Sequence, residues 1–213
     1  MLVIFDCDGV LVDSEPLVNR VEAEFVSARG WSATPSEMGA LFKGHTFEQT
    51  VQMLEARLPG GISKVAVYEL AMAIAQVFQK ELAAVPGVHA LIAALREREI
   101  PICVASQSVL PRVRLSLQVC GLDSFFGDCV FTASMVARPK PAPDLFLHAA
   151  RTLATVPAAC VVIEDSPSGV RAAVAAGMKV LGYAAAENQV LLGEAGATTF
   201  TQMSDVPGLL DLS

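Results

Sequence analysis

The chain has 213 residues, of which 53% are hydrophobic and 17% charged, with a formal net charge of −7. That length can bury a full core, and the composition excludes a disordered chain. The acidic balance argues against nucleic acid or an anionic membrane as partner, but a phosphorylated substrate stays open, since a bound metal and a local lysine reverse the sign inside a pocket.

The first predicted strand, Leu2–Phe5, is apolar throughout and runs into Asp6-Cys7-Asp8-Gly9, with Asp13 following. Carboxylates at the end of a buried strand are costly to desolvate unless a cation or a reaction needs them. In a strand the two would point to opposite faces, but a turn at Gly9 can bring both to one cavity. Oxygen-only acidic clusters suit a hard cation such as Mg2+, and a carboxylate beside it can attack a phosphoryl group. The same short string also serves as a solvated turn or a calcium-type loop.

From about residue 15 to residue 83 no strand pattern occurs. Leu17, Val21, Phe25 and Ala28 share one helical face, as do Phe47, Val51, Leu54 and Leu58, and again Leu70, Ile74, Val77 and Phe78. An all-helical insertion is expected there, its apolar stripes being core. Alternation then sets in. Residues 87–98 pattern as a helix, 102–105 as a strand, 111–119 as a helix and 129–131 as a strand. A helix over 143–153, a strand over 160–163, a helix over 167–176 and strands over 180–183 and Thr198–Phe200 complete the series. Near-continuous apolar strands between helices indicate an α/β fold, a Rossmann-like doubly wound parallel sheet covered on both faces. Ligands then bind outside the carboxyl ends of the strands.

Three later strand ends carry polar chemistry. The strand at 102–105 ends in Ser106-Gln107-Ser108, whose hydroxyls and backbone N–H groups can hold phosphate oxygens or simply cap the next helix. In Arg138-Pro139-Lys140-Pro141-Ala142-Pro143-Asp144, alternate prolines hold an extended backbone and fix where Lys140 projects. A single ammonium there suits a developing phosphoryl charge or a solvated surface position. The strand at 160–163 ends in Glu164-Asp165-Ser166-Pro167-Ser168-Gly169. Capping explains Ser166 or Asp165; metal ligation or orientation is needed to explain Glu164 as well.

Asp6-x-Asp8-Gly9-Val10-x-x-Asp13-Ser14, Ser106, Lys140-Pro141-x-Pro143-Asp144 and Glu164-Asp165-Ser166-x-x-Gly169 resemble, in order, the four motifs of the haloacid dehalogenase (HAD) superfamily. The helical insert after the first motif is similar to that of the beta-phosphoglucomutase-like subfamily, whose cap sits there. The resemblance implies a core of residues 1–14 and 84–213 and a cap of residues 15–83, with a hinge near Asp13 and Ser14. It implies Asp6 as nucleophile and Mg2+ ligand, and Asp8 as general acid and base whose backbone carbonyl also ligates. Asp165 would complete the metal sphere, with Glu164 a ligand through water or an orienter. Ser106, Gln107 and Lys140 would hold the phosphate, and Lys43, Gly44 and His45 of the cap would touch substrate.

Haloacid dehalogenases proper lack an aspartate two positions after the nucleophile, so Asp8 favours phosphoryl transfer over carbon–halogen chemistry. Beta-phosphoglucomutase carries an arginine for its second phosphate shortly after a Lys-Gly pair, and here that position is Phe47. A phosphatase is therefore expected, with a phosphomutase as the alternative. Phe42-Lys43-Gly44 and Thr198-Thr199-Phe200-Thr201 also look similar to bacterial phosphosugar phosphatases, including those acting on 6-phosphogluconate. A small phosphorylated sugar or sugar acid is the implied substrate. A receiver-like phosphorylation switch would be shorter, would lack the insert and would not combine Asp8 with Lys140-Pro141.

The five cysteines (Cys7, Cys103, Cys120, Cys129, Cys160) form no CxxC pair or Cys/His cluster, so neither a zinc site nor a disulfide framework is indicated. Cys7 reads as a spacer. No secretory signal stands at the N-terminus, and Arg171 and Lys179 break the most apolar stretch short of a membrane span. A monomer in a reduced cytoplasm, with no membrane or nucleic-acid partner, is expected.

Overall fold

Six strands, Leu2–Phe5 (β1), Ile102–Ser106 (β2), Val130–Thr132 (β3), Cys160–Glu164 (β4), Lys179–Tyr183 (β5) and Thr198–Phe200 (β6), form one parallel sheet in the order β3-β2-β1-β4-β5-β6. The computed structural model describes residues 1–42, 44–184 and 189–212. The sheet is the doubly wound α/β fold expected from the alternation. Strands β2 and β4 each run one residue further than their apolar runs, to Ser106 and Glu164. The ladder is made by the backbone, so a polar last residue still pairs.

Side chains on successive strand residues face opposite ways, and the core divides accordingly. Val3 and Phe5 of β1 join one apolar cluster while Leu2 and Ile4 join the other; Ile102 and Val104 split from Cys103 and Ala105 in the same manner. One face is covered by Val88–Glu97 (α5), Leu110–Val119 (α6) and the short Asp123–Phe126 (α7). The other is covered by Asp144–Thr152 (α8), Pro167–Ala175 (α9) and Gln189–Glu194 (α10). Val206–Leu209 (α11) packs against α5.

Between β1 and α5 lies the helical insert: Glu15–Ser27 (α1), Pro35–Phe42 (α2), Phe47–Arg57 (α3) and Lys64–Glu81 (α4). Periodicity anticipates α1, α3 and α4 but not α2, which buries only Met38 and Phe42. Its start is nevertheless encoded: the Thr34 N–H donates to Glu37 Oε2 at 2.7 Å and the Glu37 N–H to Thr34 Oγ1 at 3.3 Å, with Pro35 in the first turn. The chain enters and leaves the insert side by side. Val12 bridges Ala84 antiparallel, the Asp13 N–H donates to Ala83 O at 3.0 Å, and the Val85 N–H donates to Leu11 O at 3.0 Å. The insert's apolar residues Phe25, Leu54 and Leu70 are continuous with the core under the sheet. No helix among the described residues is long and apolar enough to cross a membrane.

Candidate active site

Strand register sets the floor. Phe5 lies beside Val104 of β2 and Ile163 of β4, and the Asp6 N–H still donates to Ile163 O at 2.9 Å. Asp6 and Glu164 therefore emerge at one level on the carboxyl edge, with Ser106 one residue further along its strand, where the strand order reverses direction about β1 and β4.

Lys140 stands at the centre of this floor. Its Nζ donates to Asp6 Oδ1 at 2.7 Å, to Glu164 Oε1 at 2.7 Å and to Ala105 O at 2.9 Å, which uses all three protons. It is 3% exposed, which rules out the solvated surface position. The segment carrying it is not extended as the prolines suggest. It is a turn with a cis Lys140–Pro141 bond, closed by the Ala142 N–H donating to Pro139 O at 2.9 Å; an X-Pro bond makes that isomer accessible.

One carboxylate oxygen from each of Asp6, Glu164 and Asp165 lies within 4.8 Å of the others. Glu164 is already committed: beside Lys140, its Oε2 accepts from the Ser166 N–H at 2.8 Å and the Ser166 hydroxyl at 2.9 Å. It suits an orienting role better than direct ligation. Ser166 is also the cap of α9, accepting from the Gly169 N–H at 3.1 Å. Two glycines make room for these acids. A Cβ on Gly9, whose φ is +80°, would overlap the Asp165 carboxylate, and one on Gly169 would overlap that of Glu164.

The Asp8 side chain turns away from that cluster. Its Oδ1 accepts from the Ser14 hydroxyl and from Arg112 Nη2 at 3.0 Å, and its Oδ2 from the Ser108 hydroxyl at 2.6 Å. Helix α6 is capped at Val109 without a side-chain bond, so neither Ser106 nor Ser108 acts as its cap. The Ser106 Oγ instead accepts from the Ser108 N–H at 3.1 Å. Sequence reasoning missed Arg112. The available signal was a lone cation in the first turn of the helix that follows Ser106-Gln107-Ser108.

The two aspartates are tuned in opposite directions. Burial pushes the Asp6 carboxyl well above its ordinary value; Lys140 opposes this, while Glu164 and Asp165 reinforce it. Burial also works to raise Asp8, but Arg112 and the Ser108 and Ser14 hydroxyls outweigh it and hold the group low. Burial works against the charge on Lys140 too, yet Asp6 and Glu164 keep the ammonium above its usual value. Carboxylates outnumber the cations Lys140 and Arg112 along this lining, and a divalent ion beside Asp6 would offset that excess and bring its carboxyl back down. The donor set, all oxygen and anionic, fits a hard cation. Cys7 is buried between the aspartates, and burial raises its thiol far above the reactive range.

Above the floor lies a cavity of about 570 Å³ that the insert closes, lined by Gly44, His45, Phe42 and Phe47 on one side and by Ser106, Gln107 and Lys140 on the other. Gln107 Nε2 donates to Gly44 O, a bond between cap and core. Thr46 caps α3 by accepting from the Gln49 N–H at 3.2 Å, while His45 Nδ1 lies 3.3 Å from Phe42 O. Lys43, also expected to touch substrate, lies outside the described residues.

A doubly wound α/β protein whose carboxylate–lysine floor lies beneath a helical insert is the class that this fold and site define. The haloacid dehalogenase-like hydrolase family profile matches residues 1–177, and the chain belongs to that family. It is 29% identical over 208 residues, 97% of this chain and 93% of the relative, to the 6-phosphogluconate phosphatase of Escherichia coli K12. It is 32% identical over 193 residues, 90% of this chain and 86% of the relative, to hexitol phosphatase A of the same organism. Among solved structures, an HAD family hydrolase of Deinococcus radiodurans with bound phosphate and sodium superposes with a TM-score of 0.79 at 29% identity, covering 99% of this chain and 95% of that one. The protein is an enzyme of this family, of the phosphatase type.

Proposed function

We propose that the protein hydrolyses a small phosphorylated sugar, sugar acid or polyol through an aspartyl-phosphate on Asp6, with Mg2+ as cofactor. The observation that carries this is the convergence of Asp6, Glu164 and Asp165 around a buried Lys140 at the carboxyl edge of the sheet. An Asp6 oxygen attacks phosphorus as the bond from phosphorus to the ester oxygen breaks; Asp8, held ionised in the resting site, first takes up a proton from solvent and then passes it to the departing oxygen. Asp8 then takes a proton from water, which attacks the aspartyl-phosphate and frees inorganic phosphate and the Asp6 carboxylate. Arg112, Ser14 and Ser108 hold Asp8 at a fixed angle for both transfers. Lys140 offsets the repulsion between Asp6 and the incoming phosphate, and Ser106 and Gln107 receive its other oxygens.

Asp6, Asp165 and the Asp8 backbone carbonyl would hold the metal, with Glu164 orienting the set. Bound there, the ion supplies charge neutralisation for the phosphoryl oxygens. A solved relative carries bound phosphate and sodium, which agrees with a reading that needs both an anion and a cation. Substrate class follows the phosphatases named above, one for a sugar acid and one for hexitols. A phosphomutase would need a cation for a second phosphate where Phe47 lines the cavity.

Residues 15–83 would act as the cap and residues 1–14 with 84–213 as the core. The paired segments at Val12 and Ala84 are the natural hinge. A reduced cytoplasmic setting, in keeping with the five free cysteines, and a monomeric state complete the reading. Phosphate release from a panel of phosphorylated metabolites, with Mg2+ and with chelator, tests the assignment. Turnover that persists in chelator, or in Asp6→Asn, would overturn it.

A further inference from the structure

Phosphoryl transfer uses the floor of the cavity and leaves the wall formed by α1 without a task. Val18, Asn19 and Glu22 of α1 line the cavity from one helix face, at the three- and four-residue spacings that place side chains together. Thr50 of α3 lines it as well. Glu22 is 5% exposed, and its Oε2 has no hydrogen-bond partner among the described residues. A buried carboxylate with an open valence is costly, and proteins rarely keep one without use. Burial pushes its carboxyl up to about 7, Arg112 opposing only in part. Arg112 does not satisfy it: that guanidinium bonds Asp8 through Nη2, sits 5.2 Å over the Phe78 ring, and leaves its own Nε unpartnered.

The chemistry of the wall selects among leaving groups. A hydroxyl-bearing carbon chain can donate to Glu22 and exchange hydrogen bonds with Asn19 and Thr50. A leaving group with its own carboxylate would bring a second acid against Glu22. The lysine and arginine among the described cavity residues are already bound, Lys140 to Asp6 and Glu164, and Arg112 to Asp8. Like charges placed together in a pocket reject the wrong ligand strongly, and an unmet hydroxyl acceptor favours the ligand that meets it.

Resting on the phosphatase assignment above, we infer that Glu22 is the specificity-determining residue of this enzyme, accepting hydroxyls of an uncharged polyol or sugar and rejecting the corresponding sugar acid. It touches the leaving group, not the reacting atoms.

Sorbitol 6-phosphate and 6-phosphogluconate make a matched pair, differing only at C1, a hydroxymethyl against a carboxylate. At pH 8, where Glu22 carries its charge, the wild-type enzyme is expected to favour the hexitol ester by at least about 10-fold in kcat/KM. Glu22→Gln is expected to shrink that ratio by about 10-fold or more, mainly through KM, and Glu22→Lys to reverse it. Binding of both esters to Asp6→Asn, followed by calorimetry, reads the same preference with Glu22 intact and without turnover. A wild-type preference for the sugar acid, or equal binding of the two esters, overturns the inference. So does a fall in both activities with their ratio unchanged, which is what a merely structural Glu22 would give. If wild-type enzyme turns over p-nitrophenyl phosphate but the ratio ignores Glu22, only this inference fails. If it hydrolyses neither ester nor p-nitrophenyl phosphate, the phosphatase assignment falls first.

Discussion

The floor and the cap-side wall of the cavity are built on opposite plans. On the floor Asp6, Asp8, Glu164 and Lys140 each have fixed partners within 3.0 Å. On the wall Glu22 is as deeply buried but keeps an oxygen with no partner among the described residues. Groups that attack phosphorus or carry a proton work best when already oriented, because nothing then reorganises during reaction. A group that recognises a ligand needs the reverse, an unmet valence that only the right hydroxyl fills.

The severest test of the prepaired floor is the loss of its nucleophile. Asp6→Asn should reduce phosphate release by on the order of 10⁴-fold or more. The amide still offers Lys140 an acceptor, so thermal unfolding should show the fold intact; activity near wild type would mean that another group attacks phosphorus. Removing the shared cation comes next. Lys140→Met leaves Asp6 and Glu164 buried without their common donor, and breaking such a pair costs about 3–5 kcal/mol. Urea unfolding should show that loss, and millimolar Mg2+ should recover part of it by binding only the folded chain. Wild-type stability in this variant would mean that the floor does not depend on Lys140.

The contrast between floor and wall also decides what could be read from the sequence. Asp6, Ser106 and Glu164 are each the first polar residues after an apolar run, and parallel register then carries them to within one residue of a common level. Strand ends are visible in sequence because apolar runs stop abruptly. Lys140 is marked by its prolines, although the turn they form was not the extended path expected. Glu22 carries no such mark, and Arg112 only its place in the first turn after Ser106-Gln107-Ser108. Each is one charged residue on a helix, where charge ordinarily faces water, and only tertiary packing turns it inward. The short α2 escaped for a related reason: two buried residues cannot display a period, and its capping pair was the sole local sign. Chemistry tied to backbone endpoints is legible; recognition tied to helix faces waits for packing.

Arg112 links the two plans, since it orients Asp8 while lying within electrostatic range of Glu22. Arg112→Leu should lower kcat by about 100-fold, the usual loss when a reacting group drifts by about an ångström. KM for p-nitrophenyl phosphate should move much less. Arg112→Lys should recover only part, because an ammonium lacks the planar fork that meets a carboxylate. An unchanged kcat in Arg112→Leu would leave the Ser14 and Ser108 hydroxyls sufficient to hold Asp8.

The smallest effect concerns stability, and it runs against the usual expectation for losing a charged residue. Folded Glu22 titrates at about 7 against an ordinary 4.5. Between those values the folded chain keeps a proton that the unfolded chain has released, so its contribution to stability falls as pH rises through this window. The full difference is bounded at about 3 kcal/mol. Glu22→Gln removes the titration. The variant should therefore match wild type near pH 4.5 and unfold at a higher temperature than wild type at pH 8, by a few degrees. A Glu22→Gln protein less stable than wild type at pH 8 would show that the ionised carboxylate is satisfied in the folded chain, and the contrast between a closed floor and an open wall would then disappear.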